Sequence, residues 1–138
     1  MDNSILVGKY LYSILSQNTE VTNLVDDDKI LPLLAMGQED NGEFVDIKFP
    51  FIVYTREDIT PVYTKDILTE NLVKFTILCV DKDYINCLDV ANAVRHALEG
   101  KRYSDENIRI FTIKLDSIQE DLIENAYVQT LHFSFSVS

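Results

Sequence analysis

PFIVY at residues 50–54, LVKFTILCVDKDY at residues 72–84 and ALEG at residues 97–100 are the stretches whose reading decides the fold. The first predicts a strand over residues 51–58 whose opening half is wholly apolar. Residues 72–80 are rich in branched and aromatic types, so they predict a central strand covered on at least one face. Asp81 or Asp83 then stands where a following helix needs an N-cap. In that helix Leu88, Ala91, Val94 and Leu98 recur at helical spacing and share a face. Gly100 can take the left-handed conformation that ends it.

Working outward, Ser4 is placed to cap a helix over residues 5–15, with Val7, Leu11, Ile14 and Leu15 at helical spacing. Gly8 permits close packing there, and Asn18 and Thr19 end the run. A short helical turn over residues 20–25 points Val21 and Leu24 inward, and Asp26, Asp27 and Asp28 stop it. KILPLLA at residues 29–35 predicts a short extended segment that Pro32 keeps off the centre of a sheet. GQEDNGEFVDIK at residues 37–48 holds four acids before its first base, with the turn signal Asn41-Gly42 at its centre. It is a hairpin or a loop, and its polarity favours a loop that protrudes. Residues 59–66 carry Pro61 and Tyr63 and form an edge segment or a loop.

Two strands close the chain. Residues 108–115 are the first, followed by a turn region with Glu120, Asp121 and Glu124. Residues 127–137 alternate: Gln129, Leu131, Phe133, Phe135 and Val137 point one way, and Thr130, His132, Ser134 and Ser136 point the other. That second face should meet water or a polar partner. No internal repeat or interdomain linker interrupts the order. The expected fold is α+β, a single domain over residues 1–138, with a mainly antiparallel sheet of four to five strands packed against two helices.

Composition narrows the function. A hydrophobic share of 46% suffices for one core, and 23 acidic against 12 basic residues leave a formal charge of −11. Binding along a nucleic-acid backbone requires clustered Lys and Arg, so non-specific DNA binding is disfavoured, as is an anionic membrane surface. The acidity keeps a protein soluble, or it coats a surface that DNA must pass without sticking. No apolar run is long enough to span a bilayer, and no basic region followed by an apolar stretch opens the chain. The expected compartment is a cytoplasm, where Cys79 and Cys87 read as buried free thiols.

Catalytic parts are not evident. The junction from Val80 to Tyr84 has no glycine and two acids, which would repel phosphate. Asp81 and Asp83 could be a magnesium pair, but helix capping explains them, and Asp26, Asp27 and Asp28 lack the remainder of a calcium loop. His96 and His132 stand in no metal or triad spacing. Tyr10 and Tyr12 project on different faces of the first helix, so one should be exposed or at an interface. The expectation is a non-enzyme that needs no cofactor or metal.

The order of these patterns resembles the tail-completion, or tail-terminator, proteins of tailed phages. The N-terminal helix and helical turn, Ile30-Leu31-Pro32, the Pro-led strand at residues 50–54, the junction from Val73 to Tyr84, the helix end from Val94 to Gly100 and the alternating last strand carry the resemblance. The 37–48 stretch is longer than the family's usual link. The resemblance implies a virion structural protein of phage or prophage origin, made in the host cytoplasm. It would form a homo-oligomeric ring, usually a hexamer, at the head-proximal end of a long tail. There it would end tube polymerisation, with the tail tube protein and the head–tail connector as partners and DNA passing through without specific binding. Glu39, Asp40, Glu43 and Asp46 would suit the bore or an interface loop. Ring closure needs two different patches, and the second candidate is the row Thr130, His132, Ser134 and Ser136. The alternatives are a head-closure or connector protein and a non-viral small-ligand-binding domain.

Overall fold

The structure, a computed structural model, describes residues 3–32 and 48–138. A single-turn 3-10 helix at Ser4–Leu6 leads into α1 (Val7–Ser16), α2 (Thr19–Thr22) and a second 3-10 turn, Asp27–Lys29. Then come β1 (Ile30–Pro32), β2 (Phe51–Thr64), β3 (Ile67–Asp81), α3 (Tyr84–Leu98), β4 (Tyr103–Ser104), β5 (Arg109–Ile123) and β6 (Ala126–Val137). The strands form one six-stranded sheet in the order β1-β2-β3-β6-β5-β4. Every pairing is antiparallel except β1 with β2.

The period-2 pattern of β3 and β6 builds the core. Val73, Phe75, Ile77 and Cys79 share a face with Leu131, Phe133, Phe135 and Val137, all buried. Against that face pack Val7, Tyr10, Leu11 and Leu15 of α1 and Cys87, Val90, Ala91, Val94 and Leu98 of α3. A smaller cluster of Phe51, Val53, Val80, Ala126 and Val128 lies on the opposite face, at one end of the sheet. Asp83 caps α3 by accepting the Ile85 amide at 3.1 Å. Gly100 follows the helix at φ +75°, the left-handed region that glycine adopts without a Cβ clash, and its amide bonds Ile113.

The expected fold class needs correction. Half of the described residues are in strands, and the sheet is mixed, curled and six-stranded, with one long helix and a few short ones. It is not a four- to five-stranded sheet over two helices. β1 and β4 are too short to leave a hydrophobic signature, and a parallel β1 makes the sheet mixed. The hairpin strands also run on through polar sequence that reads as loop. Residues 59–64 continue β2, and Glu120 and Asp121 lie inside β5, so only Glu124 and Asn125 turn the chain. A strand paired on one side keeps its hydrogen-bond ladder whether or not its side chains are apolar.

Smaller corrections follow from packing. Ser4 is not the cap of α1: it is buried within the 3-10 turn. Asn18, outside the expected helical turn, caps α2 through the Val21 amide. Val21 is buried and Leu24 half-buried, as their spacing requires. Leu88 is off the buried stripe of α3, which runs through Cys87 and Val90 instead.

Candidate assembly surfaces

Three features of the described residues offer surfaces to another molecule. The first is an arm. β3 meets the end of β6 at Asn71↔Val137, but β2 and β3 stay paired beyond that point as far as Thr64↔Ile67. Lys65 and Asp66, both at positive φ, close the tip in a two-residue turn. Residues 63–69 are exposed throughout, with Tyr63 at 62% and Ile67 at 66%. An isolated two-stranded ribbon is marginal in water, so apolar side chains at its end suit a contact more than a core.

The second feature is the pair of sheet edges. β1 covers β2 only at Ile52, Val53 and Tyr54. Beyond it the β2 edge is blunted by an irregularity between Arg56 and Asp58 and by Pro61, which has no amide hydrogen to offer. β4 covers β5 only at Arg109 and Ile110. The remainder of β5 carries a bulge at Phe111 and another at Asp116, and then no proline or irregularity as far as Ile123.

The third is a groove between the start of α3 and the end of β5. Tyr84, Glu120, Asp121, Leu122 and Tyr127 line a recess of about 480 Å³. The Tyr84 and Tyr127 rings meet edge to face at 5.1 Å between centroids. Gln129 donates to Glu120 at 2.7 Å. Hydrogen bonds from Tyr84 and then from Gln129 hold the Glu120 carboxyl below the ordinary carboxylate range, and the same carboxylate pushes the Tyr84 hydroxyl up. This ties the helix start to β5. The unfolded chain, with its ordinary carboxyl, takes up the proton first as pH falls. The contribution is therefore complete above the ordinary glutamate value and is lost as pH drops through the lower folded value. Glu120→Gln should flatten part of the acid limb of a urea-midpoint profile between about pH 5 and pH 3. Asp105, also lowered through the Asn107 and Ile108 amides, supplies a remainder. Parallel losses in both proteins across that range would refute the assignment.

Glu39, Asp40, Glu43 and Asp46 lie outside the described residues, as does most of the expected 37–48 loop. Thr130, His132, Ser134 and Ser136 do share one face of β6, but β6 is an interior strand, hydrogen-bonded on both sides. Their side chains are partly committed to neighbours. His132 joins Thr76 on β3 and Gln119 on β5, each at 3.1 Å, and Ser134 donates to Asp116. Ser134 is buried and the other three are half-buried. The row can meet a partner only through side chains. The arm and the β5 edge were missed in the sequence. Their signals were Tyr63, Ile67 and Leu68 around a polar turn and Ile118, Leu122 and Ile123 among acids.

Several other polar groups have structural roles. Asp83 caps α3, while Asp81 accepts from Asn86 at 2.6 Å and from the Lys82 amide. His96 faces Glu20 at 3.1 Å across α3 and α2. Cys79 and Cys87 are buried and free, with Cys87 donating to the Cys79 carbonyl at 3.3 Å. Burial, and then the nearby Asp81, push the Cys87 thiol up to about 11. Tyr10 is buried against Tyr103, whereas Tyr12 is half-buried and reaches the Asp27 carbonyl. Among the described residues no group of three or more His, Cys, Asp or Glu is placed to hold a metal, and no helix is long and apolar enough to cross a membrane.

No protein-family model matches the chain, and no curated protein sequence does. Among solved structures it is similar to a chain in the virion of a native gene transfer agent (GTA) particle. The TM-score is 0.72 at 16% sequence identity, covering 92% of this chain and 90% of that one. At that identity the likeness is one of fold.

Proposed function

We propose that this chain is a structural protein of a phage-like virion, and that it caps the head-proximal end of a long tail tube as a ring. The observation that carries the first part is the fold shared over nearly its whole length with a chain of a gene transfer agent virion. The tail-terminator resemblance of the sequence carries the second. A mechanical role is supported by Asp83 capping α3, His96 bridging to Glu20 and the two cysteines filling the core.

In this reading the work is geometric. Subunits join through heterologous contacts that close, so each presents two different patches. The projecting arm reaches the last ring of the tube, and the blunted β2 edge offers no template for another. The tube stops growing and the opposite side of the ring meets the head connector. A ring of about six subunits follows from the resemblance. The acids Glu39, Asp40, Glu43 and Asp46 would face a bore and let DNA pass without sticking. The row Thr130, His132, Ser134 and Ser136 would contribute side-chain contacts between subunits.

The test is a lysate of phage lacking the protein, viewed by electron microscopy. Overlong or uncapped tubes are expected, with full heads left unattached. Tails of normal length beside full heads would replace the terminator role with that of a connector. Normal, infectious particles would end the virion reading.

A further inference from the structure

Among the described residues the β5 edge from Lys114 to Ile123 is open, and it is complementary to itself. Along the strand the bases come first, at Arg109 and Lys114, and the acids follow at Asp116, Glu120 and Asp121, with Glu124 in the turn. All six are exposed. Laying two such strands side by side in parallel sets like charge on like. Antiparallel, the basic half of each meets the acidic half of the other.

The backbone pattern agrees. Ile113, Leu115, Ile118, Glu120 and Leu122 pair with Phe135, Phe133, Leu131, Gln129 and Tyr127 of β6 and share the core-side face. The Leu122 amide is bonded by the Asp121 carboxylate at 2.8 Å, so it faces away from β6. By the alternation of an antiparallel ladder, Leu115, Ile118 and Glu120 also turn their N–H and C=O toward the open edge, while the Ile113 carbonyl on that side already accepts from the Gly100 amide at 2.8 Å. The bulge at Asp116 shifts the count by one residue, and with it the set is symmetric about Ile118. Two antiparallel copies then set Ile118 against Ile118 and Leu115 against Glu120, with Leu122 at the end of the paired stretch, beside Ile113 and its Gly100 contact. On the other face the same register sets Lys114 against Asp121.

We propose that, away from the particle, two copies of this chain pair antiparallel through their β5 edges in a two-fold dimer centred on Ile118, with Lys114 of each facing the partner's Asp121. The pairing covers Ile118, Leu122 and Ile123, which are 40%, 57% and 41% exposed in the single chain. In the single chain Asp121 occupies the Leu122 amide and guards the edge. In the dimer Asp121 turns to Lys114 of the second copy. Such an edge, left open, is a template for uncontrolled strand addition. The inference goes beyond the virion reading and does not depend on it, since tube capping and solution pairing are scored in separate experiments.

Sedimentation equilibrium of the full chain tests it over a dilution series and at rising salt. A dimer is expected that dissociates on dilution and weakens as salt screens its charges. Lys114→Glu and Asp121→Lys should each weaken it at least about tenfold, since each sets like charges together. The double reversal K114E/D121K should restore it. Circular dichroism checks that each variant is folded. Independently, Ile118→Cys should oxidise to a covalent dimer, whereas Leu68→Cys on the arm should not. A monomer at every concentration would overturn the proposal. So would a smallest assembly other than a dimer, a dimer indifferent to both reversals, or a double variant that stays monomeric.

Discussion

Phe133→Ala is expected to lower the free energy of unfolding by about 3–5 kcal/mol, the cost of lost transfer energy plus an unfilled cavity. Phe133 is fully buried in the fourth strand of the sheet order, between Phe75 on β3 and Leu115 on β5. Its side chain lies on the face that α1 and α3 cover, so the void cannot open to water without moving a helix. A domain of this size has roughly 5–15 kcal/mol of stability to lose. The variant should therefore approach the limit of folding at 25 °C. Urea unfolding by circular dichroism measures the change, with exposed Lys74→Ala as the control expected within about 0.5 kcal/mol of the parent. A loss under about 1 kcal/mol for Phe133→Ala would mean that this face is not the principal core.

Shortening the arm should separate assembly from folding. Pro61 and Asn71 are cross-strand partners, so residues 62–70 can be replaced by an Asn-Gly turn that closes the hairpin at that pair. None of the nine residues removed is buried, and only Val62 and Glu70 are even half-buried. The unfolding free energy should shift by no more than about 1 kcal/mol. In the proposed role, cosedimentation with purified tail tubes should fall at least about tenfold, as when a central contact is lost. A milder variant carrying Tyr63→Ser, Ile67→Ser and Leu68→Ser keeps the arm's length and should fall in the same direction. If both chains bound and capped tubes as the parent does, the arm would have no part in that contact.

The readable part of the sequence was the part where side-chain chemistry and backbone geometry coincide. Phe133 and Phe135 alternate with Ser134 and Ser136 because one face of β6 is core, and the pattern survives in the structure. Gly100 and Asp83 did what glycine and aspartate do at helix ends. Reading failed where the backbone pairs without burial. Residues 61–71 form an arm and residues 116–123 an edge strand, yet both are polar enough to pass for loops. Leu88 failed for another reason: helical spacing fits both Leu88 and Cys87, and only the approach of β3 and β6 selects Cys87.

The candidate surfaces divide in the same way. The row Thr130, His132, Ser134 and Ser136 was visible as a polar stripe, but its place in the interior of the sheet was not. A strand's neighbours depend on contacts far apart in sequence, such as Thr76 with His132 and Gln119. The acid-rich composition was plain from the start, whereas the charge polarity of β5 became meaningful only once one side of that strand was seen to be open among the described residues. By itself the sequence determined which residues are apolar, where the long helix α3 begins and ends, and which strand lies at the centre, since local propensity and burial period govern those choices. Tertiary structure alone decided how many strands join, which edges stay free and how far a hairpin projects, because hydrogen bonds between distant segments set these and leave no period in the chain.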